Sequence, residues 1–223
     1  MSARRAPGAG ALACGCVLAV VAASNAAHPG TPAAPGPAGA SGTPDASVAA
    51  VPADEAAFAQ LLQLLAVRRH GHVTFSEVHE LALLDRPLHS SGELLYDAPD
   101  RLEKRTLEPR PEDLRLENGV LTAQRGAHRH VLALREYPQL VPYIESIRAT
   151  LAGDRAALER YFRVQFSGTL DHWTLELAPA DAELARTLQR IRIAGERDAI
   201  HTVEVRQTDG DTSLLTIGAA VGP

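Results

Sequence analysis

Between residues 54 and 69 apolar side chains return every three to four positions. Phe58, Leu61, Leu62 and Leu65 therefore share one helical face, with Asp54 placed to cap its start. Directly afterwards the period changes to two. Val73 and Phe75 face one way and Thr74 and Ser76 the other, which predicts a strand over 71–76. Alternation resumes at Gly92: Leu94 and Tyr96 share a face, Leu102 leads into a charged strand ending at Pro109, and Leu114 and Leu116 run into Asn118-Gly119. Asn-Gly between alternating segments signals a two-residue hairpin, because both turn positions need positive φ. One more strand over 128–135, where Val131 and Ala133 alternate with Leu132 and Leu134, makes a meander of about five strands before any second helix.

The helical period then returns. Leu140, Ile144, Ile147 and Leu151 fall on one face, Pro142 sits in the first turn where it is tolerated, and Gly153 supplies a stop. Asp154 restarts a short helix to about Tyr161. Strands follow over 163–168 and 170–178, then an acidic, Ala-rich helical piece over 179–188, then strands over 191–193, 200–207 and 213–217, the last two joined at Asp209-Gly210. Helices inserted between runs of strands, rather than alternating with them, predict an antiparallel sheet covered on one face by helices, an α+β fold.

The first 53 residues read differently. Arg4 and Arg5 precede an apolar run over 11–23 and the small residues Ser24-Asn25-Ala26, the layout of a secretory signal cleaved near Ala26. The run is shorter than the roughly 20 residues that span a bilayer. Cys14 and Cys16 lie inside it, before most of the apolar stretch, whereas lipoprotein attachment needs that stretch ahead of the cysteine. Cleavage removes both cysteines, leaving neither a disulfide nor a thiol nucleophile. Residues 27–53 are Pro, Ala, Gly, Ser and Thr with few large apolar side chains, a flexible linker by composition. Residues 54–217 suffice for one domain, with 218–223 as a tail. The net charge of −5 becomes −7 on losing Arg4 and Arg5 and no acid, which disfavours nucleic acid as a partner. Lys104 is the only lysine in an arginine-rich chain and is assigned no role.

Candidate chemistry is sparse. His128 and His130 would project from one strand face and His70 and His72 lie near a strand start, but two ligands do not make a zinc site, and Glu77 and His79 are distant additions. No nucleophile elbow, phosphate-cradling loop or His-Glu-x-x-His helix occurs. Asp171 and His172, beside Trp173, would point to opposite faces of a strand, and Asp181 and Glu183 sit in a polar segment. The expectation is a non-enzyme with no cofactor and no metal.

The pattern Gly92-x-Leu94-x-Tyr96-x-x-Pro99-x-x-Leu102, with Pro109 ten residues on and a strand into Asn118-Gly119, resembles the periplasmic outer-membrane lipoprotein carrier family, the LolA-like proteins. Leu134-x-x-x-Pro138, Gly153-Asp154, Phe166-x-Gly168 and Trp173-x-Leu175-x-Leu177-x-Pro179 extend the resemblance over about 56–217. It implies a curved antiparallel half-barrel whose concave face is capped by helices over an apolar lipid cavity. The candidate lining is Val73, Phe75, Leu94, Tyr96, Leu114, Leu116, Leu132, Leu134, Phe166, Trp173, Leu175 and Leu177, with Leu140, Ile144, Ile147 and Leu151 as a lid. Where the well-studied carriers have an Arg that holds the lid, this chain has Ala98, so the resemblance implies either a weaker latch or one moved to Arg101 or Arg105. The resemblance further implies a monomeric periplasmic carrier of lipoprotein acyl chains or other lipid-like cargo, loaded by an inner-membrane export complex and emptied into an outer-membrane acceptor. A lipid- or lipoprotein-sensing regulatory module is the alternative, and a lipid-directed hydrolase a more distant one. Because residues 27–53 cannot bury a core, deleting them should leave the thermal unfolding midpoint unchanged to within a degree or so; a drop of several degrees in a melting scan would make them part of the fold.

Overall fold

A computed structural model describes residues 53–222. The leader, both cysteines and the linker up to residue 52 lie outside the described residues. Helix α1 (Ala53–Val67) buries the predicted face, Phe58, Leu61, Leu62 and Leu65. Asp54 is the second residue of the helix and so does not cap it; with Glu55 it supplies acid in the first turn, where the helix dipole favours it.

Six strands follow before the next helix, one more than expected: β1 (His70–Glu80), β2 (Leu88–Asp97), β3 (Arg101–Glu108), β4 (Glu112–Glu117), β5 (Val120–Arg125) and β6 (His128–Ala133). Asn118 and Gly119 have φ of 52° and 70°, as the β4–β5 hairpin requires. Leu134 belongs to a short 3-10 turn and not to β6. Helix α2 (Val141–Ala152) carries Pro142 in its first turn and ends at Gly153, which has φ 65°. A Cβ on Gly153 would meet the Leu62 carbonyl oxygen of α1 at 2.2 Å, so this glycine sets both the helix end and the close approach of α1 and α2. Helix α3 (Arg155–Tyr161) is capped by Asp154, whose side chain accepts from the Ala157 N–H at 3.0 Å.

The second run of strands is β7 (Phe162–Gly168), β8 (Trp173–Pro179), β9 (Leu188–Glu196), β10 (Ala199–Gln207) and β11 (Thr212–Ala220). The predicted helical piece over 179–188 is instead a tight connection with a single 3-10 turn at Leu184–Arg186. Asp181 accepts from the N–H groups of Glu183 and Leu184, and β8 must reverse at once to pair with β9, leaving no room for a longer helix. All neighbours are antiparallel, in the order β6-β5-β4-β3-β2-β1-β11-β10-β9-β8-β7. The sheet is curved and open, two meanders joined where the first strand pairs with the last.

A buried charge cluster binds that join. Glu77 on β1 is 2% exposed; its carboxylate accepts from Lys104 Nζ on β3 at 2.5 Å, His79 Nε2 at 3.1 Å, Ser90 Oγ on β2 at 3.2 Å and Ser213 Oγ on β11 at 3.0 Å. Four neighbouring strands thus meet at one carboxylate. Burial pushes the Glu77 carboxyl up, but the His79 hydrogen bond and the adjacent Lys104 ammonium outweigh it and bring the group down from 4.5 to about 2. A folded-state value below the unfolded one adds stability above pH 4.5 that is lost as pH falls toward 2. The shift is worth about 3 kcal/mol. Urea denaturation should show most of that loss between pH 5 and pH 2, while Glu77→Gln should cost about 3 kcal/mol at pH 7 and flatten the acid dependence; an unchanged pH profile in the variant would remove Glu77 from this role. Gly153→Ala should lower stability by about 1–2 kcal/mol through its left-handed φ alone, with the clash against Leu62 adding to it in the same denaturation assay.

Candidate functional site

The helices do not seal the concave face of the sheet evenly. One core cluster packs α1, α2 and α3 on β1 and β7–β11, with Phe58, Leu61, Leu158, Trp173, Leu175, Ile191 and Val203 among its members. A second joins β4 and β5 to the start of α2 through Leu116, Leu121, Leu134, Leu140 and Ile144. Between the two, under α2, lies a cavity of about 440 Å³.

Its floor is built by register. Val73, Leu94, Lys104 and Leu114 stand side by side across β1 to β4, and Gly71, Tyr96, Leu102 and Leu116 form the next row. All eight line the cavity. Pleat alternation puts two residues of each strand on this face, and Gly71, without a side chain, leaves room beside Tyr96. Tyr143, Ile144, Ile147 and Leu151 of α2 form the roof, and Ile200, Val203, Leu215 and Ile217 of β10 and β11 close one side. At the rim, Arg68 just beyond α1 donates to Asp198 in the β9–β10 turn at 2.6 Å, both half-exposed. The Arg68 hydrogen bond brings the Asp198 carboxyl below its ordinary value, outweighing the opposing effect of burial.

Of the candidate lining residues the structure brings Val73, Leu94, Tyr96, Leu114 and Leu116 together at the cavity, with Ile144, Ile147 and Leu151 of the candidate lid. The others lie elsewhere. Phe75, Trp173, Leu175 and Leu177 are embedded in the larger core with Phe166 packed against it, and Leu132, Leu134 and Leu140 belong to the smaller one. Trp173 shows why: its ring lies over Gly195, where a Cβ would come within 2.5 Å of it, and its Nε1–H donates to the Arg197 carbonyl at 2.9 Å. Its ring is held within the larger core and away from the cavity under α2.

Arg101 and Arg105 do not reach α2 through any described hydrogen bond or ion pair. They alternate with Lys104 onto the opposite face, where Arg105 donates to Glu103 at 2.6 Å and Arg101 approaches Asp97 and Glu103 at 3.4 and 3.5 Å. Arg115 donates to the same Glu103 at 3.1 Å. Burial pushes the Glu103 carboxyl up, and these guanidinium groups bring it below the usual carboxylate range. Arg101 therefore ties β2 to β3 and Arg115 ties β4 to β3, while Arg105 braces Glu103 within β3. The ion pair that does lie at the cavity edge is Arg68–Asp198.

Among the described residues no group of three His, Asp or Glu is arranged to hold a metal ion. His70 pairs with Asp97, His72 with Glu93 and His172 with Glu196, each on the surface or part-buried, and Asp171 pairs with Arg197. The cavity residue that sequence reading passed over is Lys104, 9% exposed and on the cavity floor. Its signal was its phase, a charge in step with Leu102 and Thr106 on the inward face of β3.

No curated protein matches the chain at the sequence level. Solved structures resemble it at low identity. A LolA superfamily protein of Nitrosomonas europaea matches at 11% identity over 75% of this chain and 92% of its own, with TM-score 0.39. A putative outer membrane lipoprotein-sorting protein domain of Vibrio parahaemolyticus matches at 10% over 74% and 90%, TM-score 0.39. The Pseudomonas aeruginosa MucA/MucB complex matches at 14% over 74% and 58%, TM-score 0.40. The family model for outer membrane lipoprotein carrier protein LolA-like matches residues 46–222, most of the chain and every described strand. With that match, and an open curved sheet capped by helices, the chain belongs to the LolA-like family of outer membrane lipoprotein carrier proteins.

Proposed function

We propose that this protein is a periplasmic carrier that shelters the acyl or lipid part of a lipoprotein, or of a lipid-like product, and passes it toward the outer membrane. The single observation behind this reading is the apolar cavity between the concave sheet and α2, in a chain of this family. Its volume falls within the range of small-molecule sites, and its floor and roof are mostly aliphatic. Taking an acyl chain from a membrane costs about 0.8 kcal/mol per CH₂, or about 10 kcal/mol for fourteen carbons, so a carrier must replace that apolar contact with its own. A dry wall of Val, Leu and Ile does so without directional demands, and chains of differing length can slide along it.

Release needs the reverse, a roof that parts from the floor. Helix α2 rests on both cores, and the rim is held by one half-exposed ion pair, a weak contact in water. In this reading the leader ending near Ala26 exports the chain, residues 27–53 tether the domain, cargo comes from an inner-membrane export complex and goes to an outer-membrane acceptor, and no catalysis is involved.

Two experiments test it. Organic extracts of the protein purified from its own periplasm without detergent should contain a long-chain species at near one-to-one ratio by mass spectrometry. A clean, folded and empty protein would count against carriage. Leu94→Glu and Leu116→Glu, each placing a carboxylate on the cavity floor, should weaken binding of a long-chain probe by at least about tenfold in a folded protein. Unchanged binding in both would move the site away from this floor.

A further inference from the structure

The cavity floor carries a hydroxyl that the fold leaves unpaired and an ammonium with a single hydrogen-bond acceptor. Lys104, the only lysine of the chain, lines the cavity between Leu94 and Leu114 of the flanking strands and is 9% exposed. An ammonium has three donors. One is given to Glu77, and the Phe75 ring lies 4.8 Å from Nζ; among the described residues the ammonium has no second polar acceptor. Tyr96, in the next row of the same floor, is 6% exposed, and its hydroxyl is buried without a hydrogen-bond partner among the described residues. Buried donors left unpaired are uncommon, and at a cavity wall they mark where an occupant's polar atoms belong.

The chemistry of the two groups narrows the occupant. An ammonium can only donate, and a phenol can donate as well, so the complementary group is an acceptor oxygen. Glu77 already neutralises Lys104, so the occupant need not be an anion. A cationic headgroup, in contrast, would sit against the ammonium with only the Tyr96 oxygen to accept its hydrogens. Resting on the carrier reading above, we infer that the cargo is an acyl chain whose carbonyl or carboxylate oxygen is held inside the cavity by Lys104 and Tyr96, not a bare hydrocarbon tail and not a cationic amphiphile.

The test uses the purified chain with N-phenyl-1-naphthylamine in the cavity, displaced by decanoate, methyl decanoate or decylamine, which share a ten-carbon chain. Decanoate and its methyl ester should displace the dye at concentrations lower than decylamine by about tenfold or more, the size of one charge-assisted hydrogen bond. Decanoate alone doing so would assign the oxygen to a carboxylate, and both doing so to any acyl carbonyl; each outcome supports the inference. Tyr96→Phe should erase part of the preference, and the paired change Glu77→Gln with Lys104→Met, which leaves no unpaired charge behind, should erase the rest while dye binding persists. If the paired variant does not fold, Tyr96→Phe decides alone. Equal displacement by all three compounds, or a preference untouched by the variants, would overturn the inference and leave the carrier reading standing. Failure of dye and all three compounds to bind the unaltered protein would overturn both.

Discussion

The constraint on which this architecture rests is a mismatch of widths. Eleven strands at about 4.8 Å spacing make a sheet about 48 Å across, while three helices of about 10 Å diameter laid side by side cover about 30 Å. Curvature brings the ends of the sheet toward the helices but does not remove the deficit. The apolar side chains of the concave face consequently gather into two cores, one where α1 and α3 fill the space and one where the chain enters α2. What is left between them, spanned by α2 alone, is the cavity.

That geometry puts a premium on the middle of the sheet, where the two meanders meet and the floor of the cavity begins. The strands there are joined by the β1–β11 ladder and by the Glu77 carboxylate, which draws donors from β1, β2, β3 and β11. A buried ion pair of this kind is a modest source of net stability but a strict one for register, since a one-residue slip would leave Lys104 or Glu77 without its partner in an apolar setting. The same pair holds a charged side chain at the edge of the cavity and leaves some of its donors unused.

Much of this was legible in the residues. The face of α1, the Asn118-Gly119 hairpin, the Gly153 stop, the Asp154 cap and the α+β class all follow from periods and turn chemistry that act within a few positions. The misreadings share a cause. Trp173, Leu175 and Leu177 alternate in the same way as Leu114 and Leu116, and periodicity reports only that a face is buried, not whether helix or empty space lies opposite it. The side wall from Val203, Leu215 and Ile217 depended on β11 returning to pair with β1, a contact across nearly the whole domain. Residues 179–188 have helical composition, but the immediate β8–β9 pairing allowed only a turn. Arg101 and Arg105 were drawn to the lid by their place near the missing family arginine, whereas pleat alternation sends them to the other face.

Lys104 gives the molecule an unusual chemical simplicity. With one lysine in the whole sequence, the protein has a single side-chain amine, and that amine is buried on Glu77, in a residue that lines the cavity. Acylating reagents that label most proteins at many surface positions have one side-chain target in this chain, and it is buried. The rate at which that one amine is modified is therefore a built-in gauge of how often the middle of the sheet around the Glu77 pair opens.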